Sequence, residues 1–320
     1  MKRRALIGYG AAAWLLGVSP GRSQTPGRTY RLGRLSPGPN PLFSNFFIDE
    51  LGKAGFVRDV NLQVIERHAS VDQAIEIAKE MVAMGLDALH AAGAELARAA
   101  QQATQTVPIL TVSDDLLRNG VVTSLSHPGG NTTGISILAT ELDSKRQELL
   151  IELVPGARHI AALADTTATA PAQLQALEDA AKARGIVLSI FRVSKPEEIT
   201  VAIEAAHAAG AQALNVLASA LAYVAQQQVY ERTAALKLPA IYQWPEMAEA
   251  GGLAAYGPRF SDVYRQAARQ LVRIFNGAKP GDLPVEQPDK FELVINLESA
   301  KAIGFTAPPT LISRSDEVIE

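Results

Sequence analysis

Short apolar runs alternate with amphipathic stretches of helical length from residue 29 almost to the end of the chain. Runs at 30–35, 62–68, 86–91 and 107–112 read as strands, and the stretches at 42–54, 71–84 and 95–103 read as helices. The same grammar restarts with strands at 159–164, 186–193, 213–217 and 239–242, and with helices at 172–183, 197–208 and 221–236. Strands separated by helix-length segments need crossovers, and crossovers build parallel sheets covered by helices on both faces. Such sheets bind small ligands beyond the carboxyl ends of their strands. The strand-to-helix loops are therefore where function should be sought.

Breakers divide this pattern into two α/β units. His127-Pro128-Gly129-Gly130-Asn131 concentrates turn formers and reads as the connection between them. The second unit opens with a helix over 141–153, closed by Pro155-Gly156, and Gly185 and Gly210 follow two later helices as helix C-termini prefer. An extended segment at 252–256 precedes a helix over 261–275, closed by Asn276-Gly277. A Pro-rich extended stretch then leads to a strand at 291–297 and a short helix at 299–303, and the tail after Pro308 reads as an extended strap on the surface.

Composition narrows the function classes. With 320 residues, nearly half of them hydrophobic, the chain can build two ordinary domains with a substantial core. A net charge of −3 argues against a nucleic-acid surface, which needs a phosphate-neutralising excess. The chain has no cysteine, which excludes disulfides, thiolate metal sites and a cysteine nucleophile.

The N-terminus reads as a signal peptide over residues 1–23. Lys2, Arg3 and Arg4 form a basic start, the stretch from Ala5 to Val18 is apolar and uncharged, and small residues place cleavage near Ser23. Arg3-Arg4-Ala5-Leu6-Ile7 also loosely resembles a twin-arginine signal, so the export route stays open. Gly8-Tyr9-Gly10-Ala11-Ala12-Ala13 matches a dinucleotide fingerprint only superficially, because it lies inside this apolar run with no strand before it. Export without disulfides fits a soluble periplasmic protein whose core is large enough to need no staples.

Catalytic motifs are missing: no phosphate-binding Walker loop, no HExxH and no nucleophile elbow occurs. No metal or cofactor is expected, since none of the five histidines pairs with another at ligand spacing. His68 and His90 fall at strand ends, where either a ligand contact or a plain polar terminus would place them. Asp114-Asp115 could serve an exported hydrolase or could cap a helix, and adjacent loop carboxylates point apart more readily than across a substrate.

The loops after the strands carry small or hydroxylated residues: Ser36, Pro37 and Asn40; Ala92, Gly93 and Ala94; Ser113 and Asp114. In the second unit the equivalents are Asp165 and Thr166, Ser219, and Gln243 with Trp244. Such turns either cap helices or, through exposed N–H groups, seat a carboxylate. Six of them in two facing units favour a cleft. Aromatics are 6% of the chain, yet Tyr242, Trp244 and Tyr256 cluster within 241–257. Trp244 and Tyr256 are expected to stack on the apolar part of a ligand, and Tyr242 to serve as core or pocket wall.

Several segments together resemble a known family. They are Gly33-Arg34-Leu35-Ser36-Pro37, Pro128-Gly129-Gly130-Asn131-Thr132-Thr133-Gly134, Gly251-Gly252-Leu253-Ala254-Ala255-Tyr256-Gly257-Pro258 and Leu283-Pro284-Val285-Glu286-Gln287-Pro288. The chain resembles the ABC-transporter substrate-binding proteins of the tryptophan/tyrosine type. The resemblance implies an α/β fold of two Rossmann-like lobes with parallel sheets joined by a multi-strand hinge, the type I periplasmic-binding-protein fold. It implies lobe 1 from 29–137 plus about 258–285 and lobe 2 from 138–257 plus about 286–320. It further implies a monomeric, non-enzymatic protein of the periplasm that captures a small aromatic or carboxylated solute and delivers it to an inner-membrane permease, with no nucleic acid among its partners. Gly93-Ala94-Glu95-Leu96 lacks the hydroxyl that many members carry there, and Ala218-Ser219-Ala220 lacks a frequent acidic residue. On this ground the ligand is expected to be an aromatic acid without an amine, unless Asp114 or Asp165 supplies the missing carboxylate.

Overall fold

The structure, a computed structural model, describes residues 27–40 and 43–320; the segment read as a signal peptide lies outside them. The first unit runs β1 (Tyr30–Ser36), a π-helical turn at Phe43–Ile48 continuing into α1 (Asp49–Lys53), β2 (Leu62–His68) and α2 (Ala74–Ala83). It continues with β3 (Ala88–Ala92), α3 (Ala94–Ala103), β4 (Ile109–Ser113) and β5 (Thr132–Ser136). Its five strands lie in the order β2-β1-β3-β4-β5, all parallel. Six of the seven residues of β1 are buried, as a strand covered on both faces requires.

The second unit runs α4 (Ala139–Leu153), β6 (His159–Asp165), α5 (Pro171–Ala183), β7 (Val187–Val193), α6 (Pro196–Ala208), β8 (Leu214–Val216), α7 (Ala220–Val224) and α8 (Gln226–Ala235). After these come β9 (Ala240–Tyr242), α9 (Pro245–Glu249), β10 (Ala254–Gly257) and α10 (Phe260–Phe275). The chain ends with β11 (Glu292–Asn296), α11 (Leu297–Ala302), α12 (Pro309–Ile312) and β12 (Glu317–Ile319). The seven-stranded sheet has the order β12-β11-β10-β9-β8-β6-β7, and within it only the β10–β11 pairing is antiparallel. Two mostly parallel sheets clad by helices are the architecture expected from the sequence pattern.

Three local expectations change. The connection after 127–131 leads straight into β5, which has little apolar signature. A Cβ on its Gly134 would stand 1.8 Å from the Thr111 carbonyl oxygen, so the close approach to β4 requires glycine and displaces the β-branched residue that would have marked a strand. The single helix expected over 221–236 is two, α7 and α8, meeting at Ala225. The tail after Pro308 is a sheet component, since β12 pairs in parallel with β11 through Val294–Glu317, Ile295–Val318 and Asn296–Ile319.

The chain passes between the two sheets three times. It leaves β5 through Leu138, which holds a left-handed φ of 59°, and enters α4. It returns after Gly257 into α10, whose buried face of Phe260, Val263, Tyr264, Ala267, Leu271 and Ile274 repeats every three or four residues and packs on the first unit. Val285 and Glu286 stay with that unit, where the Val285 N–H donates to the Leu125 carbonyl at 2.7 Å and the Ser136 N–H to the Glu286 carbonyl at 2.9 Å. The last passage runs from there to β11. These crossings leave the carboxyl ends of β1, β3 and β4 facing those of β6, β8 and β9.

Candidate functional site

The facing strand ends enclose a cavity of about 280 Å³, near the lower end of the roughly 300–1000 Å³ typical of small-molecule sites. From the first unit, Ser36, Pro37 and Asn40 after β1, Ala92, Gly93 and Ala94 at the start of α3, and Ser113 and Asp114 after β4 all line it. From the second unit come Asp165, Ser219, Gln243 and Trp244. Each loop has a local reason for its shape. The Ser36 hydroxyl donates to the Gly38 carbonyl at 2.9 Å and sits 3.1 Å from His68 Nδ1, which ties the turn after β1 to the end of β2. Gly93 holds φ 87°, which a side chain would strain, and its N–H donates to the Val112 carbonyl at 3.1 Å. Asp165 Oδ1 accepts from the Thr167 N–H at 2.8 Å and the Thr167 hydroxyl at 2.7 Å. Ser219 Oγ accepts the Ala222 N–H at 2.8 Å and caps α7.

Two expected residues stand elsewhere. Thr166 is exposed, its N–H held by the Val193 carbonyl at 2.9 Å, and Thr167 takes the place at the cavity. Tyr256 does not line the cavity; it lies on β10 against the apolar cluster beneath α4, with its ring 6.5 Å from Phe291. Tyr256 is half-buried, the one residue of β10 that is not buried, and its ring covers the edge of that cluster instead of reaching the cavity. Tyr242 is core: it is fully buried, edge-on to Tyr230, with its hydroxyl 3.2 Å from Thr233 Oγ1. Asp115 caps the turn after Asp114, accepting from the N–H groups of Leu117 at 3.1 Å and Arg118 at 2.9 Å, so the two adjacent carboxyls do not face one another as an acid–base pair.

The aromatic wall is broader than Trp244. Phe260 and Tyr264, one turn apart on α10, and Tyr223 on α7 also line the cavity. Phe260 stacks on Tyr264 at 4.2 Å and on Tyr223 at 5.0 Å, and Trp244 meets it edge-on at 5.1 Å. The i, i+4 aromatics of an amphipathic helix were visible in the sequence, but nothing there told that its first turn ends at the cleft. Behind the wall, His90 is fully buried beside Phe43 and Tyr264, and desolvation pushes its pKa down to about 3, so it is a neutral core residue. Burial likewise holds the Tyr264 phenol protonated, up to about 12.

Charge in the cavity is divided. Arg34, on β1, lines it with its guanidinium 4.2 Å over the Phe43 ring and its Nη1 bonded to Glu66. Three carboxyls also line it: Glu95 in the first turn of α3, Asp114 after β4 and Asp165 at the end of β6. Desolvation first, and then the nearby Asp143 and Asp165 carboxylates, raise the Asp114 pKa well above the ordinary carboxylate range, with Arg146 pulling the other way. Lys195 lies exposed at the mouth. Among the described residues no group of three or more acidic, histidine or cysteine side chains is arranged to hold a metal ion. The cavity can therefore take a small molecule with a flat apolar body and polar ends, met by one buried and one exposed cation, three carboxyl groups and buried hydrogen-bonding side chains.

The sequence profile of the ABC transporter substrate binding proteins matches residues 46–319. The chain belongs to this family. A curated relative, the tyrosine-binding protein of Clostridioides difficile strain R20291, is 28% identical over 261 residues, covering 80% of this chain and 75% of that one. Among solved structures, a Streptococcus pneumonia domain in complex with L-Trp is 23% identical, covers 91% of this chain and 100% of its own, and superposes with a TM-score of 0.80. A ligand-free, open substrate binding protein from Clostridium difficile, also 23% identical, covers 91% of this chain and 99% of its own with a TM-score of 0.61. The fold of this family member is thus that of the type I periplasmic binding proteins, and its family consists of substrate-binding proteins rather than enzymes.

Proposed function

We propose that the protein is the solute-binding component of an ABC uptake system, working outside the cytoplasm after export by the N-terminal segment, and that it captures one small aromatic carboxylate between its lobes. The carrying observation is the shared cavity: both sheets present the carboxyl ends of their strands to it, and aromatic side chains from both units wall it. Lobe 1 then comprises 29–137 with about 258–285, and lobe 2 comprises 138–257 with about 286–320. The three crossings form the hinge about which one lobe rotates onto ligand held by the other. The better superposition on the L-Trp complex than on the open, ligand-free protein supports reading this arrangement as nearly closed. Gly38 of lobe 1 agrees, since a Cβ there would lie 3.0 Å from Val224 Cγ1 of lobe 2.

Binding without turnover fits the engagement of Asp115 as a cap, and membership of the family supports delivery of the solute to a permease. Titration calorimetry against aromatic acids and amino acids, with X-ray scattering on the same samples, tests the reading. Micromolar or tighter binding with a smaller radius of gyration in the bound state is the expected result. Binding that leaves the dimensions unchanged, or consumption of the ligand by the purified protein, would overturn it.

A further inference from the structure

Arg34 is out of place for a strand buried on both faces. Its side chain is 2% exposed, and arginine is among the residues least often fully buried without a partner. One partner is present: Nη1 donates to Glu66, whose side chain is 35% exposed and which does not line the cavity. Nε is buried and has no hydrogen-bond partner. The Phe43 ring, itself buried and stacked on Phe47 at 4.6 Å, supports one face of the guanidinium. Arg34 is thus fixed in orientation, bonded to Glu66 at one nitrogen, and open to the cavity that it lines. A buried N–H left without an acceptor costs about 1–3 kcal/mol, and a planar guanidinium meets a carboxylate with two parallel bonds.

We propose that Arg34 is the residue that selects for a carboxylate on the ligand, receiving it on the side of the guanidinium not used by Glu66. This rests on the reading of the cleft as a solute site. Lys195, the other cation of the cavity, is exposed at the mouth, where water screens it and its long side chain is free. The other charged lining groups, Glu95, Asp114 and Asp165, are carboxyls and offer an anion no ionic partner, which leaves Arg34 on β1 as the buried seat for negative charge. Gln243 supplies the complementary end: its Nε2 donates to the Ser219 carbonyl at 3.2 Å, whereas its buried Oε1 has no partner and accepts a donor. The preferred ligand therefore carries a carboxylate toward Arg34 and a hydrogen-bond donor, an indole N–H or a phenol, elsewhere on its frame.

The test measures affinity by calorimetry for L-tryptophan, L-tyrosine, indole-3-acetate and 4-hydroxyphenylacetate, each beside its primary amide. The wild type is expected to prefer at least one acid over its amide by about tenfold or more, and Arg34→Met to abolish that preference by weakening the acid alone. Arg34→Lys, which keeps the charge and loses the fork, is expected to restore only part of it, and it serves as the readout should the methionine variant fail to fold. Acid preference unchanged in both variants, with melting curves intact, overturns the role of Arg34 while leaving the cleft reading standing. Failure of every acid to bind the wild type overturns both.

Discussion

Two arginine–carboxylate pairs, each with a buried guanidinium, flank the cleft, and they are put to different use. In lobe 2, Arg146 and Asp143 on α4 are 1% and 0% exposed, and the pair is enclosed by further bonds. Asp143 also accepts from the Gln173 side chain and, at 3.2 Å, from the Ala218 N–H, while Arg146 Nη1 donates to the Tyr256 carbonyl at 2.9 Å. Ala218 adjoins Ser219, so this network holds the lobe 2 loop in place from behind without lining the cavity itself. Arg34 and Glu66 in lobe 1 have one half-exposed member and one that lines the cavity. Each guanidinium leaves a buried Nε without a partner, but only Arg34 stands where a ligand can reach it. The surroundings of an ion pair, more than the pair itself, separate a structural brace from a recognition group.

Breaking the brace should have the largest effect. Arg146→Met strands a sealed carboxylate, and losing one partner of such a pair costs about 3–5 kcal/mol. Urea denaturation should show that loss as a lower midpoint with an unchanged slope. Joining it to Asp143→Leu should cost clearly less than the two single losses added together, because no unpaired charge is then left buried. Additive losses would mean that the pair is not the unit that matters.

The aromatic wall comes next. Trp244→Ala should weaken binding of an aromatic acid by more than about tenfold, near 1.4 kcal/mol, while Tyr256→Phe should leave affinity unchanged because that ring lies under α4. Equal losses in calorimetry would return Tyr256 to the site. These two residues show how much of the molecule was legible beforehand. The run-and-helix rhythm exposed the α/β units, and the breakers at strand ends exposed the loops that line the cavity, because both signals are local. Whether Tyr256 pointed to the ligand or under a helix depended on its strand's place in the sheet, which is a long-range fact. Phe260 was hidden for the same reason: its helix was visible, but not that the crossing after Gly257 brings its first turn to the cleft. Arg34 stood in a motif that carried the family resemblance, yet a single charge in an apolar run does not disclose what it faces.

A smaller effect separates Arg34 from Arg146. Glu66→Gln keeps an acceptor beside the guanidinium and removes a half-exposed charge, so it should cost about 1 kcal/mol or less in the same denaturation assay. A loss as large as that of Arg146→Met would make the lobe 1 pair a brace too.

The finest distinction concerns the acidic side of the cavity. Asp114 in lobe 1 lies near Asp143, Asp165 and Arg146 of lobe 2 and its own neighbour Asp115, and burial with the carboxylates raises its pKa well above the ordinary 3.8. A raised native pKa means that the folded protein holds this proton more tightly than the unfolded chain. Stability therefore falls as pH rises from the unfolded value through the native one, and the penalty is complete above both. Asp143 is shifted in the same direction, by burial first, so the wild-type profile alone does not isolate Asp114. The difference between wild type and Asp114→Asn does. The variant should melt at the same temperature near pH 4 and at a higher one at pH 8, and a gap that stays constant with pH would remove Asp114 as its source. Ligand identity enters at the same carboxyl. An ammonium group beside Asp114 would favour its ionised form, so L-tryptophan should release a proton on binding, whereas indole-3-acetate, which brings no cation, should not. Calorimetry in buffers of differing ionisation enthalpy measures that proton, and its absence with both ligands would place the amine of an amino acid away from Asp114.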